Sequence, residues 1–374
     1  MRWAKMSKYI SAFGWAPVIY TPEGGETGAY DESLLKEIPS DLKVVRLPIW
    51  EPYDLYKTLL GRKKKEKLYS GFINENKKAS LAQKFSVWVR GNFFIPDARM
   101  FWIKPSVRFL KRYLKEHPVD AIVTTGPPHS MHMIGYKVHR ATGIPWIADF
   151  RDPWTNIDFY RDLHLSSWAD RRHHRLELKV LKTASKVVTV TWRSRDEFKS
   201  LCGRDDIVVI PNGFDHADFP DAGRLPLDQA FSILHIGSMN KDRNPIVFWK
   251  AIRQALQESG ELTKHLSIRL VGPVDFSVRT AVEDYGLQEH TTFVEFVPHN
   301  EAVMMQQQAQ INLLVINNSP NSKTIIPGKL YEYLGSGRPL LAVGPRDSDS
   351  AKVIERTRGG VVHEYDDVEG LKDR

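Results

Sequence analysis

The sequence predicts an α/β protein made of two doubly wound parallel sheets, and three observations carry that expectation. Short β-branched runs alternate with helical patterns along nearly the whole chain. Runs such as Ile122–Thr124 and Leu313–Ile316 are apolar on both faces, as parallel strands covered by helices on each side must be. The length of 374 residues suits two domains, and a Pro211-Asn212-Gly213 turn, followed by a polar, proline-bearing stretch to Gln229, divides the chain. The expected domains are therefore 1–211 and 212–374.

In order, the expected strands of the first half are Pro17–Thr21, Lys43–Leu47, Asp120–Thr125, Pro145–Asp149, Lys186–Thr191 and Asp206–Ile210. Those of the second half are Phe231–Ile236, Ser267–Val271, Thr291–Phe296, Ile311–Ile316, Pro339–Val343 and Gly360–His363. Spacing of apolar residues at three and four predicts helices over Ser130–Thr142, Arg171–Thr183, Pro245–Ser259, Val278–Tyr285, Asn300–Ala309 and Ser348–Thr357. Both ends read as truncated. Arg2–Ile10 is a helical pattern with no strand before it, whereas a doubly wound domain begins with a strand and a tight loop. Asp366–Leu371 reads as a helix that stops almost at once. The expectation is a chain without its first strand and glycine-rich loop, weakly active or inactive.

Composition excludes several classes. With 42% hydrophobic and 26% charged residues, and 17 Phe, 10 Trp and 13 Tyr, the chain has ample material for packed cores and is not disordered as a whole. A single cysteine, Cys202, excludes a disulfide scaffold and a thiolate zinc site, and reads as a small half-buried apolar side chain. No apolar run approaches the ~20 residues of a membrane span, and no signal-peptide pattern opens the chain. A cytoplasmic location follows as the expectation. The net charge of +8 is concentrated: Lys57–Lys115 holds 16 Lys or Arg against three acids, +13, leaving −5 for the remainder. Aromatics including Phe85, Trp88, Phe93 and Phe101 are interleaved there. That stretch is either a solvated helical face with its aromatics in the core or a surface for anionic lipid on the inner face of a membrane. Nucleic acid is not the expected partner, because no helix-turn-helix, zinc-finger or RRM signature is present.

The densest chemical signal lies in the second half. Ile233–Ile236 is a strand that Gly237-Ser238 ends, and Asn244 reads as an N-cap with Pro245 at the first helical position. Lys241 and Arg243 thus sit at a helix N-terminus, either as an anion site suited to phosphate or as solvated charges on an ordinary turn. Farther on, Pro327 opens a short helix that Gly335–Gly337 close, and Lys329 and Glu332 share one face near its start. A carboxylate there can accept two hydroxyl hydrogen bonds, as a ribose diol requires; the alternative is a surface ion pair of a few tenths of a kcal/mol.

These elements, with Val209-Ile210-Pro211-Asn212-Gly213-Phe214-Asp215, Arg269-Leu270-Val271-Gly272 and Val294-Glu295-Phe296-Val297-Pro298, resemble glycosyltransferase family 4 of the GT-B fold. In the first half, Arg2–Tyr9, Thr124–Ser130 and Ala148–Trp154 look like a bacterial branch that builds surface polysaccharides. The resemblance implies two Rossmann-like domains facing across a cleft. It also implies retaining transfer of a sugar from a nucleotide-sugar donor to a glycan or lipid-linked acceptor, with the nucleotide on the C-terminal domain. By position, Arg243 with Lys241 neutralises the diphosphate beside Gly237 and Ser238. Glu332 holds the ribose, Val297 and Pro298 meet the base, and Lys329 and Leu330 lie close to the phosphates or sugar. Where the family commonly has a second glutamate touching the sugar, this chain has Thr324.

The first-half candidates are Asp149, Arg151 and Asp152 at the end of one strand and His129 after the previous one. They are either cleft residues or a structural ion pair and a helix-start residue beside the Ser130 cap. Asp347-Ser348-Asp349 spells an aspartate pair, but it opens a helix and reads as capping, so no metal and no cofactor are expected. The rival functions are a GT-B sugar-nucleotide epimerase and a non-catalytic nucleotide-sugar-binding protein.

Overall fold

The computed structural model describes residues 2–25, 38–51, 81–219 and 225–373. The first half contains α1 (Arg2–Tyr9), β1 (Val18–Glu23), β2 (Lys43–Pro48), α2 (Leu81–Phe93), α3 (Met100–Glu116), β3 (Ile122–Gly126) and α4 (Ser130–Thr142). It continues with β4 (Trp146–Phe150), α5 (Ser167–Thr183), β5 (Lys186–Thr189), α6 (Trp192–Cys202) and β6 (Ile207–Val209). The second half contains β7 (Phe231–Ile236), α7 (Ile246–Glu258), α8 (Gly260–His265), β8 (Leu266–Val271), α9 (Phe276–Asp284) and β9 (Thr291–Val294). After these come α10 (His299–Gln308), β10 (Ile311–Val315), α11 (Gly328–Gly335), β11 (Leu340–Val343), α12 (Asp349–Thr357), β12 (Gly360–His363) and α13 (Val368–Lys372). Every expected strand is present, with ends displaced by no more than two residues.

Among the described residues every pairing between strands is parallel. The second half folds into one six-stranded sheet, β12-β11-β10-β7-β8-β9. Chain order runs one way from β7 to β9 and the other way from β10 to β12, so the direction reverses between β7 and β10. Such a switch point leaves a crevice at the carboxyl ends of the two strands. In the first half β3-β4-β5-β6 form a four-stranded sheet, while β1 and β2 pair with each other in a separate ribbon. Polar, turn-forming sequence between β6 and β7 joins the sheets.

The cores follow from the both-faced apolar strands. Trp249, Phe248, Ile268, Leu270 and Leu313 are buried between the second sheet and its helices. Trp146, Phe150, Trp102, Leu181 and Phe198 fill the first, with Cys202 packed at its edge as expected. Each such side chain contributes about 1.5–3 kcal/mol on burial.

Two local expectations need correction. Asn244 does not cap α7: a 3-10 turn over Lys241–Arg243 intervenes, capped by the Asn240 side chain, and Pro245 precedes the helix. Asn244 instead donates to the Ser277 carbonyl at 3.0 Å and accepts from Trp249 Nε1 at 2.9 Å. The basic stretch lies partly outside the described residues, at 57–80. Where it is described, its aromatics do not all turn inward: Phe85, Phe93 and Phe101 are exposed, beside exposed Trp50 from the loop after β2.

Candidate active site

The crevice at the β7–β10 switch point brings together most of the residues expected at a phosphate. Gly237 ends β7 with φ +115°, a conformation that favours glycine, and a Cβ there would lie 2.8 Å from Lys329 Nζ. Lys329 comes from α11, which Tyr333 docks: its buried hydroxyl accepts the Ile236 amide of β7 at 2.8 Å. Arg243 reaches back from the 3-10 turn, and its Nη1 donates to the Ser238 carbonyl and hydroxyl at 3.1 and 3.2 Å. Arg243 Nε donates to Asn317 Oδ1, just past β10. Among the described residues Arg243 Nη2 has no acceptor, and no carboxylate pairs with either cation within ion-pair distance.

Two cations held side by side in this way are costly without an anion. Burial, then the charge of Arg243, pulls the Lys329 ammonium down to about 7, with Glu332 opposing. Arg243 is likewise held below its ordinary value by burial, although Asp158 and Asp242 oppose that shift. Glu332 is half-buried one helical turn from Lys329, on the same short helix. Lys241 is exposed, so the half-buried cation beside Arg243 is Lys329 and not its sequence neighbour. Val297 and Pro298 lie past β9, two strands from β7 along the same edge, about 10 Å away.

Three side chains that sequence reasoning missed complete the wall. Asn317 links Arg243 to the first half of the chain, because its Nδ2 donates to Asp158 Oδ2 at 2.7 Å. That contact joins residues 159 positions apart, and an Asn-Asn-Ser-Pro turn after a strand gave the only local hint. His235 was visible as a lone polar residue in an apolar strand. Two expected contacts are corrected. Leu330 is fully buried in a cluster with Tyr333 and Ile326 and presents no surface to a ligand. Thr324 is buried, and its hydroxyl donates to the Asn321 carbonyl at 2.7 Å, closing its own turn.

The first-half cluster is organised differently. Asp149 is 1% exposed, and its carboxylate takes four donors: Arg2 Nε and Nη2 at 3.3 Å each, Trp3 Nε1 at 2.8 Å and the Thr125 hydroxyl at 2.9 Å. Arg2 also donates to the Pro211 and Ile210 carbonyls, so α1 is riveted over the turn that follows β6. The ion pair is structural, with Arg2 as partner instead of Arg151. Arg151 is half-buried and donates to the Pro127 carbonyl, while Asp152 is exposed. His129 does not open on the crevice: it is buried and stacks on Trp154, centroids 4.5 Å apart and 3° from parallel. Burial pushes its pKa well below the usual value, so the ring is neutral. Glu177 of α5 pins the loop after β4 by accepting the Trp154 and Thr155 amides at 3.1 and 3.4 Å. The Asp347 and Asp349 carboxylates meet Arg193, Lys323 and Lys352, and Ser348 caps α12.

Comparison with known proteins places the fold. Residues 72–218 match Glycosyltransferase Family 4. None of the curated proteins matches the sequence. Among solved structures the chain is similar to a sucrose-phosphate synthase from Thermosynechococcus elongatus, at 14% identity and TM-score 0.60, covering 99% of this chain and 81% of that one. It is similar to a UDP-forming α,α-trehalose-phosphate synthase from Burkholderia vietnamiensis, at 13% identity and TM-score 0.62, covering 98% and 88%. It is also similar to WaaG, a glycosyltransferase involved in lipopolysaccharide biosynthesis, at 14% identity and TM-score 0.53, covering 100% and 84%. Parallel sheets with a crevice at a switch point, and a fold shared along its length with GT-B enzymes, identify the fold of the chain as GT-B, within which residues 72–218 are similar to Glycosyltransferase Family 4.

Proposed function

We propose that this enzyme transfers a sugar, with retention, from a nucleotide-sugar donor to a glycan or lipid-linked acceptor in bacterial surface polysaccharide synthesis. The observation that carries the proposal is the pair of cations, Arg243 and Lys329, converging at one crevice with donors left over. As the sugar–oxygen bond breaks, charge grows on the leaving diphosphate, and preorganised cations stabilise that charge without reorganising. Glu332, on the helix that carries Lys329, accepts the ribose diol, and the backbone near Val297 and Pro298 meets the base. Two cations supply the charge a metal would otherwise bring, so the reading needs no metal or cofactor. With the chain divided at 211/212, this reading assigns the donor to the second part and the acceptor to the first. A crevice of about 200 Å3 between Thr155–Arg161 and Pro320–Asn321 offers amides, Asp158 and Tyr160 to sugar hydroxyls beside the wall.

A lipid-linked acceptor fits the outer face of the first half. Exposed Phe85, Trp88, Phe93, Trp50 and Phe101 neighbour exposed Lys104, Arg108, Lys111, Arg112 and Lys115 on α3. Aromatics with cations suit the head-group region of an anionic bilayer, and no described helix is long and apolar enough to cross one. Involvement of WaaG in lipopolysaccharide biosynthesis supports the same placement.

The test incubates the protein with UDP-, GDP- and ADP-sugars, with and without lipid-linked and glycan acceptors, and follows nucleotide release and product anomeric configuration by NMR. Acceptor-dependent release with retention is expected. Interconversion of the donor without acceptor would make the protein an epimerase, and binding without turnover would make it a non-catalytic binder. Pelleting with anionic vesicles, and not with neutral ones, is expected for the membrane face.

A further inference from the structure

His235 sits in the apolar strand Ile233-Leu234-His235-Ile236 with no solvent exposure. Its Nδ1 lies 2.9 Å from the Leu313 carbonyl oxygen on β10. A carbonyl only accepts, so Nδ1 carries the hydrogen. Burial, then the charge of Lys329, holds the ring's pKa well below its ordinary value, so the imidazole is neutral and Nε2 bears a lone pair. Lys329 Nζ is 3.2 Å from Nε2 and must be the donor. One hydrogen of Nζ is thereby tied back to β7, and the rest are left for the crevice.

We infer that His235 is a positioning residue for the donor site: its Nε2 holds Lys329 Nζ at the carboxyl edge of β7, and Nζ takes up a proton as the donor's diphosphate arrives. The inference rests on the donor-site reading above. The groups facing Nζ are His235 on β7, Arg243 on the following turn and Glu332 on its own helix, with Asp158 of the first half beyond Arg243. With an ammonium pulled down to about 7, the empty site near neutral pH is a mixture of ammonium and amine. An incoming diphosphate favours the ammonium, and the buffer supplies the proton.

Calorimetric titration of UDP, GDP and ADP into the wild-type protein tests this, at pH 7.5 and 8.5 and in two buffers of different ionisation enthalpy. The nucleotide that binds is expected to bind about tenfold more weakly at the higher pH, with close to one proton taken up there. His235→Asn keeps a donor for Leu313 but cannot reach Nζ. It is expected to weaken binding about tenfold and flatten the pH dependence, while His235→Gln, whose amide oxygen stands near the place of Nε2, restores both. Arg243→Ala separates the two claims. If it abolishes binding while pH and His235→Asn change nothing, the donor wall stands and the role of His235 falls. Absence of binding by all three nucleotides overturns both. Should His235→Asn fail to fold, the wild-type proton count decides alone, and no uptake contradicts the inference.

Discussion

Asp149 and Arg243 both stand at the carboxyl end of a parallel strand, the first at β4 and the second just past β7. Four donors from Arg2, Trp3 and Thr125 occupy the Asp149 carboxylate. Arg243 is gripped at Nε and Nη1 by Asn317 and Ser238 and keeps Nη2 open. A place at a strand edge therefore marks where chemistry is possible, and counting hydrogen-bond partners tells which charge is left for a ligand. The first half spends its charge on holding α1 over the turn after β6; the second half holds cations in reserve.

The largest effect is expected where charge is spent on structure. Asp149→Asn leaves the Arg2 guanidinium buried without its carboxylate and should cost about 3–5 kcal/mol of stability in urea denaturation, with nucleotide affinity of the folded protein unchanged. Loss of turnover at unaltered stability would instead return Asp149 to the chemistry. Arg243→Ala reverses the pattern: turnover should fall about 100- to 1000-fold, with stability changed by no more than about 1 kcal/mol.

A third contrast uses pH. Burial raises the pKa of Asp215, but hydrogen bonds from Tyr9, Lys8, the Ala217 amide and Lys5 outweigh it and hold the carboxyl below its usual range. An unfolded aspartate titrates near ~3.9, so this stabilisation is complete above that value and is lost as pH falls through the folded pKa. Acid should therefore loosen α1 first. Subtracting the stability curve of Asp215→Asn from that of wild type should give a difference that vanishes toward strongly acid pH, and a flat difference would remove this role. The smallest effect is expected at Thr324→Val, which loses one hydrogen bond, about 1 kcal/mol, and leaves donor kinetics alone.

The sheet architecture was legible because parallel strands buried on both faces carry their own signature, and every expected strand is found. Arg243, Lys329 and Glu332 were legible because their elements are local: a strand end, a turn, one short helix. Asn317 with Asp158 and Asp149 with Arg2 were not, since each joins segments far apart in sequence and no spacing rule reaches them. Asn244 misled because an asparagine followed by proline looks the same before a helix and after a 3-10 turn. His129 misled because a histidine after a strand can face a crevice or an aromatic ring, and only packing against Trp154 decides between them.

The central claim is that the second sheet's switch point, through Arg243, receives the diphosphate of the donor. Thermal-shift titration of wild type and Arg243→Ala with UDP, GDP and ADP addresses it most directly. A ligand at 100 times its dissociation constant adds about 2.7 kcal/mol of stability. At least one nucleotide should raise the wild-type melting temperature by several degrees and leave Arg243→Ala unmoved; equal shifts in the two proteins, or none in either, would contradict the account.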